Sequence, residues 1–295
     1  MRAFAIARYG APPALLELPE PRGAGVAVHV RFAGVNPIDW KILDRLTEDE
    51  KYPFVLGQDF AGRATHVEGV AAIEKEQRVF GIARGYGAYA ERTLVDPNVE
   101  GAIVAPMPTG LRYEDAAALP TAGLTALAAL DALGVGAETS VAIVGAHGGV
   151  GSFATQIARV RGADVIEVDR DSGDWVGKLL TEYPNGIDAV LDVANGPEAI
   201  NGDLRALRPG GRIASTINAL DEKPLRDAGY EPHNIGLFSS EQASAAGLAL
   251  LAGMVLDKTI EVRIAETVPL ENAGSVIERG RRGALKKGGK TVVAA

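Results

Sequence analysis

The sequence predicts an α/β protein in two parts, a β-rich domain of short strands and a domain in which helices and strands alternate around a parallel sheet. Three observations carry this. Proline and glycine break the first third into short pieces at Tyr9-Gly-Ala-Pro-Pro, Pro19-Glu-Pro-Arg-Gly, Val35-Asn-Pro and Tyr52-Pro. From about Tyr113, apolar runs of strand length alternate with helical patterns. At one strand-to-helix junction, Val144-Gly-Ala-His-Gly-Gly-Val-Gly151 packs four glycines into eight residues.

In the first part, Val26-Ala-Val-His-Val-Arg-Phe places valine and phenylalanine at alternate positions, with His29 and Arg31 between them, which is the period of a half-buried strand. Such short, punctuated strands suit a barrel-like β domain. In the second part we expect helix over 116–133, strand over 140–145, helix over 149–161 and strand over 163–169. Helix over 175–181, strand over 187–193, helix over 197–207 and strand over 211–217 follow. This alternation calls for a parallel sheet covered by helices. Short strands return at Ile260-Glu-Val-Arg-Ile and Lys290-Thr-Val-Val, so the end of the chain is expected to complete the first domain.

The glycine cluster has a chemical reading. A strand, a tight turn and a helix opening on Gly149-Val-Gly form an arrangement in which free N–H groups and the positive end of the helix dipole meet a doubly negative diphosphate. Gly145, Gly148 and Gly151 would supply the turn, the close approach and the helix-to-sheet packing, with Gly149 and Val150 opening the helix. The spacing, Gly-x-x-Gly-x-x-Gly, is not the commonest form, and its strand and helix context is what gives it weight.

Composition removes several alternatives. A net charge of −8 gives no positive field for a nucleic acid, and the absence of cysteine removes disulfides, thiolate nucleophiles and cysteine-built metal sites. The histidines at 29, 66, 147 and 233 lack metal-ligand spacing. The most apolar window, 116–132, contains Pro120, Gly123 and Asp131 and reads as a buried helix rather than a membrane span. The N-terminus lacks the apolar core of a secretion signal, so a cytoplasmic protein is expected. The basic stretch Arg279-Gly-Arg-Arg-Gly-Ala-Leu-Lys-Lys lacks interleaved aromatics and reads as a solvated loop.

Together, Val35-Asn-Pro-Ile-Asp, Leu56-Gly-Gln-Asp-Phe-Ala-Gly, Arg78-Val-Phe-Gly, Ala116-Ala-Ala-Leu-Pro-Thr-Ala-Gly-Leu-Thr-Ala, the glycine stretch and Leu207-Arg-Pro-Gly-Gly-Arg resemble the medium-chain dehydrogenase/reductase superfamily, in its zinc-independent quinone oxidoreductase (zeta-crystallin-like) branch. The resemblance spans nearly the whole chain. It implies a GroES-like β-barrel catalytic domain over 1–112 and 262–295, and a doubly wound Rossmann domain over 113–261. It also implies a homodimer and NADPH-dependent reduction of a small-molecule quinone or conjugated carbonyl. Zinc-dependent relatives carry cysteine where this chain has Asn36 and His-Glu where it has Gln58-Asp59, so the usual zinc ligands are missing. By the same resemblance Asn36 lies beside the nicotinamide and is the catalytic candidate. Thr125, Phe238 in Gly236-Leu-Phe-Ser, and Lys290 are carried over as cofactor contacts.

The chain departs from the pattern in one place. The family has two βα units between the glycine helix and the strand over 187–193, and this chain has room for only one strand there. Read by sequence alone it is the second of the two. A right-handed crossover and the cost of a vacant slot instead place it beside the glycine strand, which is the expectation we adopt. Asp169 then ends that strand, 24 residues after Gly145, where a carboxylate accepts from the adenosine ribose and favours NADH. Arg170 could instead pair with the 2′-phosphate of NADPH, and a solvated loop is a third reading.

His147 could touch a phosphate from inside the turn, although such a side chain more often points to water. Asp39 and Lys41 could relay a proton, but the plainer reading of a helix-start carboxylate and an exposed lysine is preferred. Tyr52, Tyr86 and Tyr89 fall in loops that could border the substrate. Two rival functions stay open: reduction of a conjugated enone or enal at carbon, and a non-catalytic, redox-responsive or structural protein that binds NADPH.

Overall fold

The structure, a computed structural model, describes residues 1–85, 87–169 and 172–295, so Tyr86 and Arg170 lie outside the described residues. The chain forms two compact units: Met1–Thr121 with Ser244–Lys258 and Val262–Ala295, and Ala122–Ala243 with Thr259–Glu261.

In the first unit a sheet runs in the order Ile264–Pro269, Lys290–Ala294, Gly25–Gly34, Asp59–Glu68, Arg78–Ile82 and Ile103–Pro106, with Arg92–Val95 also paired to Gly25–Gly34. Val26, Val28 and Val30 point into the core, as the alternation requires. The period breaks at Phe32, which is only half-buried while Ala33 is buried, because the ladder shifts register between Val30 and Phe32. The chain's end does return to this unit, where Val293 pairs with Ala33 in the antiparallel ladder. The companion strand starts at Ile264 rather than Ile260. At Glu261 the backbone is satisfied without a ladder: its N–H donates to Gln156 Oε1 at 2.7 Å, and its carbonyl accepts from Gln156 Nε2 at 3.2 Å.

The helix expected over 116–133 is two helices, Tyr113–Ala118 and Pro120–Ala132. Pro120 has no N–H to continue the first and is well suited to open the second. The basic stretch is also partly helical, in Ala273–Arg281, where Arg279 pairs with Glu266 and Arg281 with Asp44. Among the described residues, no helix is long and apolar enough to cross a membrane.

The second unit is built on a parallel sheet in the order Asp164–Val168, Ser140–Val144, Ile187–Asp192, Leu207–Ser215 and Glu231–Asn234. The single strand after the glycine helix lies beside Ser140–Val144, from Asp164↔Ser140 to Val168↔Val144, which is the placement packing required. The chain leaves Ser140–Val144 to one side and reaches Ile187–Asp192 on the other, so the sheet's switch point falls at the carboxyl end of Ser140–Val144. Helix Gly149–Val160 buries Phe153, Ala154, Ile157 and Ala158 and exposes Arg159 and Val160. Each large apolar side chain buried there is worth about 1.5–3 kcal/mol. Strand Glu231–Asn234 was not expected, since Glu231-Pro-His-Asn has no apolar alternation; its proline is tolerated because the strand is at the sheet's edge.

A buried carboxyl pair sits in this unit. Asp192 accepts from the backbone N–H of Ala194 and Asn195 at 2.7 and 2.8 Å, while Asp203 accepts from Trp175 Nε1 at 3.1 Å. Burial and the neighbouring Asp192 hold the Asp203 carboxyl well above the usual carboxylate range. Such a group keeps its proton on folding, so unfolding releases it once pH exceeds the ordinary value of about 4, and stability falls as pH rises toward the folded value. Asp203→Asn is therefore expected to flatten the decline in urea midpoint between about pH 5 and 8. An unchanged slope in the variant would assign the decline to another group.

Candidate functional site

In the first unit, a short turn creates a buried polar cluster. Asp39 N–H donates to the Asn36 carbonyl at 3.0 Å, and Asn36 N–H donates back to Asp39 Oδ2 at 2.8 Å, so both ends of the turn before helix Ile38–Lys41 are satisfied. The Asn36 side chain is 2% exposed and held at both amide atoms. Lys290 Nζ donates to its Oδ1 at 2.6 Å and to the Val35 carbonyl at 2.7 Å, while Asn36 Nδ2 donates to Asp59 Oδ2 at 2.8 Å. Asp59 also accepts from Thr121 N–H at 3.0 Å and from Thr121 Oγ1 at 2.6 Å. Tyr89 OH donates to Asp39 Oδ2 at 2.8 Å.

One ammonium faces two carboxyl groups here. Burial pushes Asp39 up to about 7 against the bonds from Asn36 N–H and Tyr89 OH, and pushes Asp59 up against the pull of Lys290 and Thr121. Burial lowers Lys290, which Asp59 and Asp39 partly offset, and holds the Tyr89 hydroxyl well above its ordinary value. Two donors are left over. One Asn36 Nδ2 hydrogen has no acceptor among the described residues, and Gln58 Nε2, also buried, has none.

Asn36 and Lys290, expected as separate contacts, are thus brought together; Asp39 is the helix-start carboxylate expected, but it is buried in the same cluster, while Lys41 is exposed. Sequence reasoning missed Asp59, Thr121, Tyr89 and Gln58 as members. A usable signal was present: Gln58-Asp59 interrupts an apolar run, and polar side chains in such a place need partners. Tyr52 lies elsewhere, its OH donating to the Thr47 carbonyl at 2.8 Å.

In the second unit the glycine turn forms at the switch point. Gly145 has φ +85°, and its carbonyl accepts from Gly148 N–H at 3.0 Å. Its own N–H donates to the Val168 carbonyl at 2.8 Å, which ties the turn to the next strand. A Cβ on Gly151 would lie 2.1 Å from the Gly145 carbonyl oxygen, so that glycine is required by packing. Gly148 differs: it is exposed, extended, caps helix Gly149–Val160 without a side chain, and a Cβ there would meet only Gly145 O, at 3.2 Å. Gly149 and Val150 open the helix, half-buried, with the backbone donors of its first turn unmatched by helical acceptors.

Asp169 follows strand Asp164–Val168, and His147 reaches it from the turn with Nδ1 2.5 Å from Asp169 Oδ1 and Nε2 3.1 Å from Glu167 Oε2. The two are joined to each other rather than separately open to water. Beside them lies a cavity of about 250 Å³ lined by Val144, Asp169, Asp174, Trp175, Asn195 and Asp203 among others. Thr125 is 7% exposed on helix Pro120–Ala132, and Phe238 is half-buried in the short turn Leu237–Ser239. Among the described residues, no group of three or more His, Asp or Glu side chains is placed to hold a metal ion.

Residues 23–109 match the family described as alcohol dehydrogenase GroES-like domain, and residues 161–293 the family described as zinc-binding dehydrogenase. The chain is 30% identical to the quinone oxidoreductase of Sus scrofa over 314 residues, covering 94% of this chain and 93% of that one. The solved quinone oxidoreductase of Coxiella burnetii shares the fold with a TM-score of 0.84 at 24% identity, covering 100% of this chain and 99% of that one. A mycobacterial protein complexed with NADPH does so with a TM-score of 0.84 at 22% identity, covering 100% of both chains. With sequence similarity running through both units and the same architecture in each, the chain belongs to the medium-chain dehydrogenase/reductase superfamily, in its quinone oxidoreductase-like branch, and is an oxidoreductase.

Proposed function

We propose that the chain is a metal-independent reductase that binds a nicotinamide dinucleotide, NADPH or NADH, and reduces a small-molecule quinone. The observation that carries the reading is Gly148. Its main chain is exposed, with the Gly145 carbonyl oxygen as the one atom near a would-be Cβ, and the helix behind it presents unmatched N–H groups, a combination that suits a diphosphate lying against main chain. The NADPH-bound mycobacterial structure of the same fold supports a dinucleotide, and the name of the Sus scrofa relative supports a quinone. The bound nicotinamide would supply the hydride.

The residues of the chain would do the rest. Lys290 and Asp59 hold the Asn36 amide in one orientation, leaving one N–H to meet an acceptor oxygen or the nicotinamide amide, and Gln58 Nε2 is a second donor of the same kind. Asn36 in place of a thiolate, bound on both sides by Asp59 and Lys290, favours catalysis by orientation rather than by a zinc ion. In the second unit, Asp169 in the lining of the cavity is suited to accept from ribose hydroxyls, and this observation favours NADH as a second reading of the cofactor.

Gly148→Val is expected to keep the thermal midpoint within a few degrees while weakening dinucleotide affinity by more than about tenfold, because its branched side chain enters the space left for the diphosphate. Fluorescence titration with each nucleotide checks this, and undiminished binding would remove the turn's assigned role. Asn36→Ala is expected to lower kcat against a quinone panel by about tenfold or more, with a smaller change in cofactor Kd. Equal kinetics would take Asn36 out of the reaction.

A further inference from the structure

We propose that His147 is a positioning residue that sets cofactor choice: by fixing the Asp169 carboxylate beside the glycine turn, it makes the chain prefer NADH to NADPH. This rests on the dinucleotide reading above. Four side chains from three adjacent segments form a row of alternating charge type. Arg159 Nη2 of the glycine helix lies 2.5 Å from Glu167 Oε1, Glu167 Oε2 lies 3.1 Å from His147 Nε2, and His147 Nδ1 lies 2.5 Å from Asp169 Oδ1. An isolated exposed ion pair contributes little and fixes little. Here each middle member is gripped from both sides, so the imidazole cannot turn away from Asp169 without also leaving Glu167.

Asp169 depends on that grip. Its side chain is 67% exposed, and among the described residues its carboxylate has His147 as its one hydrogen-bond partner. Left alone it would sample several rotamers beside the cavity. Held by His147, one of its oxygens stays free to accept from the paired 2′ and 3′ hydroxyls of an adenosine ribose. A 2′-phosphate in the same place would meet that carboxylate, with Asp174 further along the same wall and Arg205 the one cation among the described lining residues. His147 therefore acts through Asp169, rather than by touching a phosphate as the sequence suggested.

The test is fluorescence titration of the full chain with NADH and NADPH separately, for the wild type, His147→Ala and His147→Asn. The wild type is expected to bind NADH about tenfold or more tightly than NADPH. His147→Ala should lose most of that ratio, to about threefold or less, mainly through weaker NADH binding, with an unchanged thermal midpoint because the side chain is exposed. His147→Asn, whose amide can still donate to Asp169, should recover part of the ratio. A wild type that prefers NADPH, or a His147→Ala chain that keeps the wild-type ratio, overturns the proposal while leaving the dinucleotide reading intact. Absence of binding by either nucleotide overturns both.

Discussion

The buried ammonium of Lys290 is the contact on which the first unit's polar centre depends. It joins the last strand of the chain to Asn36, 254 residues earlier, and faces two carboxyl groups that burial would otherwise drive to neutrality. Without that cation, Asp59 would lose its balance of charge and Asn36 its fixed amide. The return of the C-terminus to the first sheet is thus an electrostatic requirement of the cluster as well as a matter of strand pairing.

The second unit solves a different problem, that of keeping main chain bare. Gly145 bends the backbone, Gly151 lets the helix approach the bend, and Gly148 caps the helix with its extended, exposed main chain. A Cβ at Gly148 would press on one atom, the Gly145 carbonyl oxygen at 3.2 Å, so packing constrains this glycine far less than Gly151. The row of Arg159, Glu167, His147 and Asp169 beside it gives the neighbouring surface its chemical character. On the cofactor, the family resemblance favours NADPH, whereas the role proposed for Asp169 favours NADH.

Much of this was legible in the sequence because it is local. The glycine turn, the strands on either side of it and the helix that follows are read from spacing alone. The placement of Asp164–Val168 beside the glycine strand followed from handedness and from backbone satisfaction. The polar cluster was not legible in the same way, since Asn36, Asp59, Tyr89, Thr121 and Lys290 are far apart in the chain and meet only through the fold. Other differences have specific causes: a proline divided one helix at Pro120, a bulge turned Phe32 from the core, and a glutamine side chain replaced the ladder at Glu261.

Having one strand rather than two beyond the glycine strand also leaves Asp164–Val168 as the outer margin of its sheet, with a row of amides and carbonyls open on one side. Such margins invite foreign strands and seed aggregates. This one carries Asp164, bonded by Tyr183 OH at 2.5 Å, and Glu167, paired with Arg159 and His147. A stacked second strand would have to bury or displace those charges, so the same row of side chains also guards a nascent chain against sticking to its copies.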